Sequence, residues 1–252
     1  MAGTVLLTGA NSSMGLSAVD RLLSVYPDLT AVLTVRDASD NDPNTKRLRA
    51  IIAQYPNAHA SVHQLDLANL LTVHAFADTL IASIAAKEYP ALKSIICNAF
   101  YWNLVADSPL TVDGLEMTMQ VNHVAHVALV LRLLGSFGPG GGRVEIVSTV
   151  AHYRRKNNMT PFQPDVPADI DDLVRQRPNQ DKQGWGAHLY GTSKLVATIW
   201  SYALNHYLEK ARDLSTSANP QVGEVANVIA CARSRIPSSV TSLLWPSTRA
   251  TC

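Results

Sequence analysis

Two periodicities alternate along the first two thirds of the chain, and this alternation constrains the fold more than any other feature. Short β-branched runs with strand character are followed by longer segments whose apolar residues recur at helical spacing. Near-continuous apolar strands need cover on both faces, which helices between successive parallel strands provide. The sequence therefore predicts an α/β fold with a doubly wound parallel sheet. Its strands are expected at Thr4–Leu7, Ala31–Val35, Ser61–Leu65, Ser94–Cys97 and Val144–Ser148.

Helical spacing fills the gaps between these strands. Helices are predicted at Gly15–Val25, around Leu48–Ile52 with Pro43 in the first turn, and at Leu70–Ala86, Leu115–Leu134 and His188–Leu208. A sixth strand is expected at Val225–Ala230.

No internal repeat or low-complexity tract indicates a second domain, so residues 1–252 are interpreted as a single domain. Residues 153–184 carry four prolines and little periodicity, which predicts an ordered or semi-ordered loop over a site. Residues 211–252 form an atypical tail.

Composition excludes several classes of partner. The 21 basic and 20 acidic residues nearly cancel, so the chain lacks the electrostatic footprint of a nucleic-acid-binding protein. Three cysteines without CxxC spacing argue against a disulfide framework and a zinc site, and fit a reducing compartment. Because no apolar stretch is long enough to span a bilayer, we expect a cytoplasmic protein that does not bind membranes.

The first predicted strand leads into a turn that opens a helix, and this turn is a candidate dinucleotide site. It consists of Thr8, Gly9, Ala10, Asn11, Ser12, Ser13, Met14 and Gly15. A helix N-terminus offers unpaired N–H groups and partial positive charge, and glycine lets the backbone approach a pyrophosphate closely. The alternative is a purely structural turn, since any strand–turn–helix connection uses small residues.

The second strand ends in Arg36 and Asp37, where a dinucleotide-binding unit contacts the adenosine ribose. Arg36 can pair with a 2′-phosphate, which favours NADPH (NADP) over NADH. Asp37 would instead suit the 2′-hydroxyl of NAD, and a solvated surface arginine is the third interpretation.

Tyr190 and Lys194 lie four residues apart near the start of an apolar-faced helix, a spacing that puts both side chains on one side. A phenol is a poor acid–base group at neutral pH, but a nearby cation stabilises the phenolate and lowers its pKa. The pair is therefore a candidate for proton transfer. A solvated tyrosine and lysine at chance spacing is the alternative.

Taken together, these motifs resemble the short-chain dehydrogenases/reductases. The family pattern of a TGxxxGxG turn, an NNAG segment, a helical Asn, a Ser and a YxxxK pair is matched in order over roughly residues 4–210. The matching residues are Thr8–Gly15, Cys97-Asn98-Ala99-Phe100, Asn122, Ser148-Thr149, and Tyr190 with Lys194. Thr111–Glu116 and Val121–His123 further resemble the retinol-dehydrogenase and protochlorophyllide-reductase-like branch.

The resemblance implies hydride transfer between NADPH and a carbonyl compound or alcohol. Tyr190 would protonate the carbonyl oxygen, Lys194 would hold the nicotinamide ribose and lower the tyrosine pKa, and Thr149 or Ser148 would bind the carbonyl oxygen. Asn122 would anchor a water for proton relay. The implied cofactor-binding residues are Gly9, Asn11, Ser12, Ser13, Met14, Gly15, Arg36, Asp66, Leu67, Asn98, Ala99, Tyr190 and Lys194. Asp66 matches the family position that contacts adenine, and Asn98 one that lines the cofactor cleft.

The sequence departs from the family pattern at several positions. Ser13 replaces the second glycine of the turn and would lower cofactor affinity, while Phe100 replaces the glycine of NNAG and would project near the cleft. Arg233-Ser234 stand where the family carries Pro-Gly, which with the early end implies a shortened C-terminus.

These departures keep two other functions open. One is a redox-neutral isomerase, dehydratase or cyclase on the same fold, and the other is a catalytically silent dinucleotide-binding protein. The main prediction remains an NADPH-dependent carbonyl reductase or alcohol dehydrogenase that acts on a small apolar ketone, aldehyde or alcohol and assembles as a homodimer or homotetramer.

Three histidines and a tryptophan also lie near these motifs in the sequence. His123 and His126 are predicted to be packed or hydrogen-bonded histidines rather than metal ligands, and no metal site is expected. Trp185 and His188 either line a substrate pocket or fix the start of the last predicted helix.

Overall fold

The computed structural model describes residues 3–154 and 161–217, with side chains to residue 211. Its centre is a five-stranded sheet in the order β3-β2-β1-β4-β5. All four neighbouring pairs are parallel. The strands are β1 (Gly3–Thr8), β2 (Leu29–Val35), β3 (His59–Gln64), β4 (Leu92–Cys97) and β5 (Arg143–Ile146). The predicted doubly wound parallel sheet is confirmed.

Helices connect the strands and cover the sheet. They are α1 (Ser13–Val25), α2 (Pro43–Ile52), α3 (Leu70–Ala85), α4 (Met117–Met119), α5 (Ala125–Leu133) and α6 (Lys182–Ser217). A π-helical turn, Gln120–Val124, joins α4 to α5. Short 3-10 turns follow at Leu134–Ser136, Val150–His152 and Ile170–Leu173.

The strand order indicates where a ligand would bind beyond the edge of the sheet. Because the chain first winds outward from β1 to β3 and then returns to the other side of β1 as β4, the direction reverses between β1 and β4. Parallel strands bring all their carboxyl ends to one edge, and ligands of such sheets bind beyond that edge at the reversal point. Thr8 and Cys97, the last residues of β1 and β4, therefore border the expected site.

The core consists of the central strands and the helices that cover them. Leu6, Val32, Leu33 and Ile95 are 0% exposed. On one face Leu7 and Leu33 pack in a cluster with Val19 and Leu23 of α1 and Leu48 of α2, while α3 and α5 pack against each other. Continuous burial along β1 and β2 explains why these strands are apolar throughout rather than alternating.

Two predicted helices differ from the observed ones. The helix predicted at Leu115–Leu134 begins only at Met117, because the Glu116 carboxylate caps it by accepting hydrogen bonds from the Thr118 and Met119 amides. It is then interrupted by the π turn at Gln120–Val124. The last helix begins at Lys182 rather than at His188. Asp181 accepts a hydrogen bond from the Gly184 amide at 2.8 Å, which caps the start of α6 despite its glycines.

The chain divides into two compact units, residues 1–198 and 199–252. Of the second unit, the described part is the remainder of α6 to Ser217. The predicted sixth strand at Val225–Ala230 and the Arg233-Ser234 position lie outside the described residues, as do 155–160 of the predicted 153–184 loop. The single-domain interpretation stays a prediction.

Among residues 3–154 and 161–217, no helix combines the length and apolar character needed to cross a bilayer. A cytoplasmic location and a homo-oligomeric state stay predictions from the sequence.

Candidate active site

The turn between β1 and α1 is held by its own backbone. Gly9 has φ +65°, and a Cβ there would lie 2.9 Å from the Ala99 Cα. A Cβ on Gly15 would overlap the carbonyl oxygens of Gly9 and Ala10. Ser12 caps α1, since its Oγ accepts a hydrogen bond from the Gly15 amide at 3.0 Å. The turn thus brings the backbone of α1 close to the strand ends, as a dinucleotide cradle requires.

Asn98 joins this turn to the end of β4. Its Nδ2 donates to the carbonyl oxygens of Thr8 at 2.9 Å and Gly9 at 3.1 Å. In return, the Thr8 Oγ1 accepts hydrogen bonds from the Asn98 and Ala99 amides at 3.0 and 3.1 Å. Asn98 is 5% exposed. This buried side chain holds the Gly9 turn against the end of β4, and these two segments border the site at the reversal point.

A cavity of about 510 Å³ opens at the carboxyl ends of β1, β2 and β3. Seven residues predicted to bind the cofactor line it: Gly9, Asn11, Ser12, Arg36, Asp66, Leu67 and Ala99. The other predicted contacts are not part of its wall. Ser13 and Met14 are exposed at the start of α1, and the lower cofactor affinity expected from Ser13 stays a prediction.

Polar side chains crowd the cavity at the carboxyl end of β2, where the sequence predicts the adenosine ribose. Arg36 and Asp37 are both exposed there, and Asp42, the N-cap of α2, joins them. Asn11 Nδ2 donates to the Asp42 carboxylate at 3.0 Å and to Thr45 Oγ1 at 3.1 Å. Hydrogen bonds from Thr45 lower the pKa of Asp42, which keeps this carboxylate charged. One guanidinium and two carboxylates therefore line this end of the cavity.

Lys194 lies beyond the carboxyl end of β5. It is 3% exposed, and its Nζ donates a hydrogen bond to the Val147 carbonyl oxygen at 2.9 Å. Burial lowers its pKa to about 8. The same Nζ lies 6.0 Å from the ring centroid of Phe100 and 5.9 Å from that of Tyr190, at the outer limit for a cation–π interaction.

Tyr190 is half-buried one turn earlier on α6, on the same face as Lys194. Its ring centroid is 6.0 Å from that of Phe100 and 5.4 Å from that of Trp102. Burial raises the pKa of Tyr190. The pKa is therefore raised, where the sequence predicted a lowered one, because burial disfavours the charged phenolate.

Asn122 lies in the π turn with both ends of its amide in use. Its Oδ1 accepts a hydrogen bond from the Tyr101 amide at 2.6 Å, and its Nδ2 donates to the Tyr101 carbonyl oxygen at 2.9 Å and to Ser193 Oγ at 3.0 Å. Ser193 in turn donates to the Tyr190 carbonyl oxygen at 2.8 Å. Asn122 therefore connects the chain after β4 to the helix that carries Tyr190 and Lys194. A π turn at such a position is common at functional sites.

The two hydroxyls predicted to bind a carbonyl oxygen have other partners. Ser148 Oγ is 3.1 Å from His152 Nδ1 and 3.3 Å from Thr198 Oγ1. Thr149 caps the 3-10 turn that follows β5. The structure thus brings together Asn122, Tyr190 and Lys194, while Ser148 and Thr149 lie near α6 without a hydrogen bond to Tyr190 in the part of the chain that is described.

The predicted packed histidine at 126 is buried and 3.0 Å from Thr8 Oγ1. Burial lowers the pKa of His126 to about 3 and that of His123 to about 4, so both rings are neutral at physiological pH. Within residues 3–154 and 161–217, no group of three or more His, Cys, Asp or Glu side chains has the geometry of a metal site.

Three contributors to the site were not found from the sequence: Asp42, Trp102 and Ser193. The Asp-Pro pair that opens α2 marks Asp42 as a helix cap, which was the one available signal. Trp102 and Ser193 act through contacts between distant segments, for which the sequence holds no local pattern.

No family model matches the chain. The Short chain dehydrogenase resG of Aspergillus sclerotiorum is 31% identical over 229 residues, which cover 84% of this chain and 59% of that protein. The human Carbonyl reductase [NADPH] 3 is 28% identical over 221 residues, 82% of this chain and 75% of that protein. The chain spans less than two thirds of the length of the fungal dehydrogenases it matches.

The predicted branch has a counterpart in Retinol dehydrogenase 14 of Mus musculus, 32% identical over 154 residues, 58% of this chain and 43% of that protein. Among solved structures, a crystal structure of a protein from Mycobacterium Paratuberculosis aligns with a TM-score of 0.57 at 27% identity. The alignment covers 86% of this chain and 65% of that one. These similarities agree with the five ordered motifs and the sheet topology. In its fold and in the order of these motifs, the chain is similar to the short-chain dehydrogenases/reductases.

Proposed function

We propose that this chain is an NADPH-dependent carbonyl reductase or alcohol dehydrogenase for small apolar ketones, aldehydes or alcohols. One observation carries the proposal: Tyr190 and Lys194 share a face of α6 at the carboxyl edge of the sheet, next to the cavity. Phe100 links the two, because it lines the cavity and lies against the Tyr190 ring.

The cavity suits a dinucleotide phosphate. Its floor is the Gly9 turn. The backbone there packs so closely that a Cβ on Gly9 or Gly15 would overlap neighbouring atoms. Arg36 at the ribose end favours the 2′-phosphate of NADPH over the 2′-hydroxyl of NADH. The human relative is named for NADPH. When bound, NADPH supplies the hydride that reduces the carbonyl carbon.

Tyr190 then supplies the proton. Its raised pKa keeps the phenol protonated at neutral pH, the form that can donate to a carbonyl oxygen as negative charge develops there. Lys194 lies 5.9 Å from the Tyr190 ring centroid, so its ammonium stabilises the phenolate left behind. Because Tyr190 is only half-buried, that phenolate can be reprotonated from solvent. We keep Thr149 or Ser148 as the hydroxyl that orients the carbonyl oxygen.

The decisive experiment is NADPH oxidation, followed by absorbance, with a panel of small ketones. Tyr190→Phe removes the proton donor but keeps the ring contacts, so we expect turnover to fall by about 10²- to 10⁴-fold with NADPH affinity preserved. Tyr26→Phe, at an exposed tyrosine after α1, is the matched control and should be fully active. Unchanged turnover in Tyr190→Phe, or conversion of substrate without consumption of NADPH, would contradict the proposal.

A further inference from the structure

We infer that the site selects planar aromatic carbonyl compounds, because Phe100, Trp102 and Tyr190 form a wall of rings beside the proposed proton donor. These three residues are called the aromatic wall below. The inference rests on the proposed function and adds a substrate class to it.

The aromatic wall is open on one side. Phe100 and Trp102 are 47% and 44% exposed. Their ring centroids lie 6.0 and 5.4 Å from that of Tyr190, at interplanar angles of 55° and 57°. Large apolar side chains grouped in the open mark a binding surface more often than scattered ones do. A ligand that covers these rings removes their apolar area from water, and that burial favours binding.

The wall is held in place before any ligand binds. Phe100 and Trp102 are two residues apart in a segment without helical structure, and Tyr101 lies between them. The Tyr101 amide and carbonyl oxygen both bond to the side-chain amide of Asn122. Because this contact fixes the backbone between the two rings, little ordering entropy remains to be lost on binding.

The other side of the wall is anchored through α6. Asn122 also donates to Ser193 Oγ, and Ser193 donates to the carbonyl oxygen of Tyr190 itself. A second contact brings the same segments together, since a Cβ on Gly186 of α6 would overlap the carbonyl oxygen of Asn103. Phe100 and Trp102 are thereby set against Tyr190 by the backbone on both sides.

Ring geometry favours a flat ligand over a puckered one. Aromatic rings attract one another in offset or edge-to-face arrangements with centroids 4.5–7 Å apart, by about 0.5–1.5 kcal/mol beyond the area they bury. In an aryl ketone the carbonyl group is attached to the ring and conjugated with it. Stacking on the aromatic wall therefore delivers the carbonyl oxygen towards Tyr190, whereas an aliphatic ring of equal carbon number gains only burial.

Acetophenone and cyclohexyl methyl ketone test this inference, since they have the same carbon skeleton size and differ in planarity. We expect kcat/KM with NADPH to be about three- to tenfold higher for acetophenone. Trp102→Leu keeps an apolar side chain but removes the planar ring. It should bring the ratio of kcat/KM for acetophenone to kcat/KM for cyclohexyl methyl ketone close to one. Tyr26→Leu removes an exposed aromatic residue from another surface and should leave the ratio unchanged.

A second measurement does not depend on turnover. Acetophenone binding is followed by quenching of tryptophan fluorescence in the wild type and in Phe100→Leu, which retains Trp102. We expect the dissociation constant to rise about three- to tenfold in the variant. Equal reduction of both ketones together with an unchanged dissociation constant would overturn the aromatic preference and leave the proposed function standing. If neither ketone nor any other is reduced, the proposed function fails, and the fluorescence titration still decides whether the wall binds aromatic ligands.

Discussion

The two halves of the site hold their residues by different means. Beside β1 to β3, part of the positioning is local, as when Ser12 caps α1 through Gly15 three residues later, and Asn98 adds one long-range contact to the turn. Beside β4 and β5, segments distant in the chain meet, as when Asn122 joins Tyr101 to Ser193. Their cations differ in the same way, since Arg36 is exposed while Lys194 is 3% exposed. The half beside β1 to β3, called the local half, tolerates little change in its backbone. The half beside β4 and β5, called the distributed half, depends on side chains that no single motif contains.

Lys194→Met gives the largest expected effect and tests the distributed half. Loss of the ammonium that stabilises the Tyr190 phenolate should lower turnover by about 10²- to 10⁴-fold. Lys46→Met, at an exposed lysine of α2, should have no effect. Activity close to that of the wild type would show that the buried cation is structural only.

The same variant carries a prediction about pH. Burial lowers the pKa of Lys194 from 10.5 to about 8 in the folded protein. Between these values the unfolded chain holds a proton that the folded chain has lost, so the free energy of unfolding should rise with pH across this window. The rise is up to about 3 kcal/mol. Urea titrations at pH 7.5 and pH 10.5 measure the free energy of unfolding of the wild type and of Lys194→Met. The rise between the two pH values should be larger in the wild type, and an equal rise in both proteins would contradict the prediction.

Gly15→Ala tests the local half. The added Cβ would overlap backbone carbonyl oxygens of Gly9 and Ala10, and backbone cannot rotate away as a side chain can. We expect a loss of about 2–3 kcal/mol in the free energy of unfolding, measured by urea denaturation. Gly135→Ala is the matched control, because nothing lies within 4 Å of a Cβ there. Equal stability of the two variants would show that the turn is less constrained than its geometry indicates.

Arg36→Ala has the smallest expected effect and compares the two cations directly. Because Arg36 is exposed, its removal should leave stability unchanged and weaken NADPH binding about tenfold, with NADH binding unaffected. Calorimetric titration with both cofactors measures this. Arg47→Ala on α2 removes a nearby charge that does not line the cavity, and should bind both cofactors as the wild type does. An equal loss for NADPH and NADH would assign Arg36 to general electrostatics.

The comparison also explains what the sequence could predict. All five strands were expected to within about two residues. The signal is an unbroken apolar run in β1 and β2, which are buried on both faces, whereas the edge strands β3 and β5 are only partly buried and less apolar. The Gly9 turn and Arg36 were predicted from their places at strand ends and Asp66 from the resemblance, and all three line the cavity. The start of α6 was misplaced, since Gly184 and Gly186 weaken the helical signal that Asp181 restores by capping.

The distributed half was harder to predict for a physical reason. Tyr190 and Lys194 were predicted from their spacing and Asn122 from the resemblance, but Trp102 and Ser193 emerge only once separate segments are packed together. The pKa direction of Tyr190 was wrong for the same cause, because the sequence indicates a neighbouring charge but not the burial that competes with it.

The hydrogen bonds between Asn122 and Tyr101 involve only the main chain of Tyr101. Such a clamp is indifferent to which side chains flank it, so the residues at 100 and 102 can be exchanged without loosening the loop that presents them. The fold therefore lets these two rings of the aromatic wall vary while Tyr190, the proposed proton donor, stays in place. A small library at these two positions could retune specificity while leaving the chemistry in place.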